Sequence, residues 1–366
     1  MTVTAHPQGR PAAPEAPGRL RLAVCAATIA ACVPYLTIKL AWLSGSTVGW
    51  NDAEAARDST LYVGNLVTMA MDALAVVIAL AFTFRWGLRL PAWLVLAPTW
   101  IAAGLLAPIA IAVPPAAVVM AFDAPAAESG DPEAMQGWVF GVVYTGFTVQ
   151  GIGLLTAFAL YARVRWGDVL AARTRDVATG ATHGLQALLA RTALVFAVAF
   201  AVPNLYWAFG GTAGRPDGPT GDMNVAQHIL AGAGAVLAVA GAGALLAVLR
   251  RAERPRRFVR PLAVAWTGSA ATFAWPLYTL VIVLVQPGEM GHDMAAATNL
   301  TSLAGMFAGL LTGLAGAALL AEHAAAGRPG RPGRPGRTGL PAGRVADPPA
   351  VRPAGYRARP TASSTP

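Results

Sequence analysis

Lys39 and Asp72 are ionisable side chains that fall well inside long apolar runs of this 366-residue chain. At mid-membrane an unpaired charge costs a few kcal/mol, so such a residue needs a partner, a proton or water. Lys39, the single lysine, sits near the end of its run and can extend its ammonium toward the surface. Asp72 lies about ten residues deep, beyond the reach of that escape. Asn65, Thr68 and Asp72 follow i, i+3, i+7 spacing, which draws one polar stripe down a helix. A later run offers Asn224, Gln227 and His228 at the corresponding depth. Two readings follow. Lys39, Asn65, Thr68, Asp72, Asn204, Gln227 and His228 line an outward-opening polar pocket, with protonation of Asp72 as the coupling event of a proton-linked carrier. Alternatively, Lys39 and Asp72 form a static pair that fixes helix packing.

Other chemistry finds little support. Serine nucleophile elbows, paired metalloprotease histidines and phosphate-cradling glycine loops do not occur in a suitable context. Glu289, His292 and Asp293 could ligate a metal, but three such donors in a short loop are ordinarily just solvated. Only His228 is placed to ligate haem from inside a helix, and no facing ligand accompanies it. No cofactor or metal is expected, and an enzymatic activity is the least favoured reading. Cys25 and Cys32 are seven residues apart, about 10 Å along a helix, so they cannot pair with each other and read as small packing residues. Ile29-Ala30-Ala31-Cys32 has the form of a lipoprotein cleavage box, yet Val33 to Leu43 continues apolar and completes an uncleaved span.

The elements that must position these residues are membrane helices. The chain is 55% hydrophobic and 12% charged, with a mean hydropathy of +0.53, outside the range of soluble domains. Eight stretches are long enough to cross a bilayer: Leu20–Leu43, Tyr62–Phe84, Pro91–Val113, Gly137–Tyr161, Thr192–Phe209, Val225–Leu249, Pro261–Val285 and Asn299–Leu320. The expected fold is therefore all-α and integral to the membrane. Residues 1–18 form a flexible N-terminus, 19–165 a first four-helix half, 166–190 a basic linker and 191–323 a second half. Residues 324–366 form a disordered Pro/Gly/Arg-rich tail.

Basic residues resist translocation, so their loops mark the cytoplasmic side. Of the 27 basic residues, Lys39 is within a span and only Arg57 and Arg215 fall in the opposite set of loops. Both termini are therefore expected in the cytoplasm, with the protein in a bacterial plasma membrane. The net charge of +9 follows from this pattern, and anionic lipid headgroups rather than nucleic acid are the expected partners of the arginine clusters.

Arginine dominance with abundant Ala, Gly and Pro fits GC-rich coding. Pro34, Tyr35, Lys39, Trp42 and Gly45 in the first span resemble the series that opens some multi-spanning membrane proteins of actinobacteria, a group without an assigned activity. The resemblance covers one helix and implies membrane residence only. An internal likeness is also visible. Lys39-Leu-Ala-Trp42-Leu-Ser-Gly45 closes the first span and Asn204-Leu-Tyr-Trp207-Ala-Phe-Gly210 the fifth. Because four crossings return the chain to its starting side, two such halves would be parallel repeats about an axis along the membrane normal. Chance similarity between Trp-ending apolar helices would look much the same. Gly305, Gly309 and Gly313, like Gly232, Gly234, Gly241 and Gly243, suit close helix approach within one subunit or in a homo-oligomer. The favoured role is a small-molecule or proton-coupled carrier. A scaffold, accessory subunit or sensor comes second, and a membrane-embedded enzyme third.

Overall fold

The computed structural model describes residues 18–53, 59–122, 135–177, 180–216, 222–250, 257–285 and 295–326. Its helices are α1 (Arg19–Leu43), α2 (Ser59–Thr83), α3 (Ala92–Phe122), α4 (Gly137–Arg165), the short α5 (Gly167–Ala171), α6 (His183–Ala208), α7 (Val225–Leu249), α8 (Val259–Val285) and α9 (Ala296–Ala326). Two isolated β-bridges are the only extended pairing among the described residues. The predicted flexible N-terminus up to residue 17, the tail from 327, and Glu289, His292 and Asp293 lie outside the described residues.

Among the described residues seven helices, α1, α2, α3, α4, α6, α7 and α9, are long and apolar enough to cross a membrane, which makes this a multi-pass membrane protein. The predicted span Pro261–Val285 coincides with α8, whose most apolar stretch, Leu280–Val285, closes the helix. Two boundaries move. Helix α6 starts at His183 rather than Thr192, and α3 runs past Val113 to Phe122 although Pro98, Pro108, Pro114 and Pro115 lie within it. Proline removes one helix donor, yet Pro114 does not end the helix.

Helix α1 packs on α2 and α4, α6 packs on α7 and α9, and α3 meets α8 between these groups. Close approach rests on small residues: a Cβ at Gly104 of α3 would collide with the Ala270 backbone of α8, and one at Gly241 of α7 would lie 2.9 Å from Gly268 Cα. Gly309 faces the α8 backbone, Gly305 faces the Phe200 ring of α6 and then the Thr272 carbonyl of α8, and Gly313 faces Trp100. These glycines serve packing within the chain.

The two groups bury their helices in one register. Buried Cys25, Thr28, Cys32 and Trp42 of α1 answer to Ala190, Ala193, Ala197 and Trp207 of α6. Asp72, Ala75, Ala79 and Phe82 of α2 answer to Ala235, Ala238, Ala242 and Leu245 of α7. Gln150, Gly151, Leu154, Ala157 and Tyr161 of α4 answer to Ala308, Gly309, Thr312, Ala315 and Leu319 of α9. The turns after α1 and α6 also match. Trp42 Nε1 donates to the Val48 carbonyl at 2.7 Å, and Trp207 Nε1 to the Ala213 carbonyl at 3.0 Å. Gly45 and Gly210 both adopt φ +90°, and Gly49 and Gly214 take φ +81° and +79°, conformations that favour glycine.

Candidate functional site

Helix α2 sets Asn65, Thr68 and Asp72 on one stripe, and that stripe faces α1 and α4. Lys39 of α1 donates from Nζ to Asn65 Oδ1 at 2.5 Å, with its ammonium 4.9 Å from the Tyr35 ring centroid and 5.0 Å from that of Trp42. Such aromatic faces attract a cation, the more so when water is excluded. Lys39 is 6% exposed. Trp42 is held in place by its bond to Val48 and by Trp50, 5.4 Å away between ring centroids.

Asp72, 3% exposed, lies two helical turns further along the stripe. Gln150 of α4 donates from Nε2 to its Oδ1 at 2.9 Å. The second oxygen, Oδ2, is buried without a hydrogen-bond partner. A buried acceptor left unmade costs about 1–3 kcal/mol, and more when charged. Lys39 and Asp72 therefore do not form the direct ion pair that the sequence allowed, since each takes a neutral amide as its partner. Thr68 stands between them, its hydroxyl donating to the Gly64 and Asn65 carbonyls at 2.9 and 3.2 Å, with the Tyr35 hydroxyl beside it.

Beyond Asp72, toward the far ends of α2 and α4, the lining turns apolar. Ile78, Ala79, Phe82, Leu154 and Ala157 join Cys25 and Leu106 in one buried cluster. Tyr161 closes it, donating to the Gly87 carbonyl at 2.8 Å, and Arg165 donates to Gly87 at 3.0 Å and to the Leu90 carbonyl. The polar stripe thus runs from the Trp42 end to Asp72 and stops against an apolar plug.

The remaining predicted residues are engaged separately, without a hydrogen bond or ion pair to Lys39 or Asp72. Asn204 Nδ2 donates to the Phe200 carbonyl one turn back at 2.9 Å. Asn224 and Gln227 exchange capping bonds of 2.9 Å at the start of α7, where Gln227 is exposed. His228 Nδ1 lies 2.9 Å from the Trp207 carbonyl. Sequence reasoning missed Gln150. Its signal was a lone glutamine in the middle of an apolar helix, which needs a polar partner there as much as a charge does. Among the described residues no three His, Cys, Asp or Glu side chains gather as a metal site.

No family model matches this chain, no curated protein matches it, and no solved structure matches it.

Proposed function

We propose that this chain is an eight-crossing protein of the bacterial plasma membrane, with both termini cytoplasmic, built from two parallel four-helix repeats, and that its first half carries a proton-coupled carrier site at Asp72. The shared burial register of α1/α6, α2/α7 and α4/α9 and the matching Trp42 and Trp207 turns support the repeat. The length of α8, 27 residues, supports the eighth crossing. The arginines beside the helix ends support the orientation.

One observation carries the functional reading. The second half builds the same helix frame with Ala235 and Ala308 where the first has Asp72 and Gln150. Packing therefore has no need of a carboxylate at that position. A carboxyl group kept in a membrane helix interior with one oxygen open is a place to hold a proton or another cation, and such residues mark ion paths in transporters. The polar stripe from the Trp42 end, outward in this orientation, supports a route to it from outside.

Charge displacement on a solid-supported membrane tests this without a known substrate. A pH jump on the outer face is expected to give a transient current as protons enter the buried site. The current should vanish in Asp72→Asn and persist in Asn204→Ala. Equal currents in wild type and Asp72→Asn would overturn the reading and favour a scaffold or sensor.

A further inference from the structure

We propose that Lys39 is a tethered competitor for the Asp72 site: its ammonium exchanges between the station formed by Asn65, Tyr35 and Trp42 and a second station at Asp72 Oδ2, which it occupies when the carboxylate is charged and no other cation is bound. This rests on the carrier reading of Asp72 given above.

The first station is built for an ammonium but fills it incompletely. Lys39 has three N–H donors and makes one hydrogen bond there, to Asn65, supplemented by two aromatic faces. In a low-dielectric interior an ammonium and a carboxylate attract each other far more strongly than an ammonium and an amide do. Lys39 and Asp72 project from adjoining helices, with Asn65 and Thr68 leading along the stripe from one to the other. An ammonium resting on Asn65 while the Asp72 oxygen two turns along the stripe stays open therefore corresponds to the state in which Asp72 is neutralised by its proton. When the proton leaves, the attraction draws Lys39 down the stripe past Thr68, covers Oδ2 and keeps a second buried charge from standing alone. Asn65 is a positioning residue that holds the cation off the site while it is loaded.

The other titratable groups about Asp72 do not supply this charge. From α1 they are Cys32 and Tyr35, and Tyr278 of α8 stands near Tyr35. Helix α4 presents the neutral Gln150, and α3 contains no ionisable side chain. Lys39 is the one basic group in this set.

Its being the only lysine makes the proposal testable. Reductive methylation with isotopically labelled formaldehyde places an NMR probe on Lys39 and the N-terminal amine alone, and keeps the lysine charge. In wild type at low pH the Lys39 signal is expected to show the ring-current shift of Tyr35 and Trp42, and to lose it as the pH rises. In Asp72→Asn it should keep that shift throughout, and in Asn65→Leu it should lose it at lower pH. In Lys39→Met the Asp72-dependent displacement current should persist with its midpoint moved to at least tenfold lower proton concentration, since the competing charge is gone. A Lys39 signal indifferent to pH, alongside an intact Asp72-dependent current in wild type, would overturn the exchange and leave the carrier reading standing. Loss of the current itself would strike the carrier reading first.

Discussion

The Gln150 amide reaches one oxygen of Asp72 at 2.9 Å, while the other oxygen is buried without a partner. In the proposed repeat the matching positions are both alanine, the buried Ala235 and Ala308. Removing either partner of a buried polar pair leaves the other stranded, whereas removing both can be nearly neutral.

That asymmetry predicts a non-additive pair. Gln150→Ala alone should destabilise the protein by about 1–3 kcal/mol, because the Asp72 carboxyl then loses its donor. Asp72→Ala with Gln150→Ala, which copies the second half, should recover most of that loss and still abolish the pH-driven displacement current. Denaturant titration of the purified protein in detergent measures the first quantity. A double variant less stable than either single variant would show that the pair holds the helices together.

Glycine contacts make a second prediction. A Cβ at Gly309 would lie 2.5 Å from the Ser269 carbonyl oxygen and 2.6 Å from the Phe273 nitrogen, and backbone cannot step aside. Gly309→Ala should therefore lower stability by about 1–3 kcal/mol. Gly316, on the same helix, has nothing within 4 Å of its would-be Cβ. Gly316→Ala should be neutral or gain up to about 1 kcal/mol from helix propensity. Equal effects at the two positions would mean that α8 and α9 do not meet as described. In the second half such contacts take the place of the hydrogen bonds found around Asp72.

Much of this was legible in the residues, for physical reasons. Apolar runs of bilayer length and the loops between them follow from the solvent, so most helix positions could be read directly. The Trp-x-x-Gly likeness of Trp42 and Trp207 is a likeness of two turns whose indoles cap a carbonyl six residues on. The site was half legible. Asn65, Thr68 and Asp72 share a stripe because i, i+3, i+7 spacing demands it. Which helix faces that stripe is a tertiary fact, and the partner was α4 with Gln150 rather than α7 with Gln227. Asn204 and His228 are polar for local reasons, each satisfying a backbone carbonyl near the end of α6. Helix α8 reads as a span because an apolar run ending in Leu280–Val285 follows its tryptophans, threonines and Pro276.

That last point gives a prediction about topology. In a Cys25→Ala, Cys32→Ala background, single cysteines at the exposed positions Ser44, Thr212, Ala181 and Arg257 sort the helix ends. Ser44→Cys and Thr212→Cys should react with a membrane-impermeant maleimide on intact cells, because four crossings separate them and both lie away from the arginine clusters. Ala181→Cys and Arg257→Cys should react only after permeabilisation. Ala296→Cys, at the start of α9, decides α8. If α8 crosses, Ala296→Cys labels from outside together with Ser44→Cys. If α8 instead returns to its starting face, Ala296→Cys groups with Arg257→Cys, the count falls to seven, and the C-terminal tail lies outside. The parallel repeat would then be lost as well, because α9 would run opposite to α4. The close agreement of their buried faces, Gly151 with Gly309 and Ala157 with Ala315, argues for the crossing.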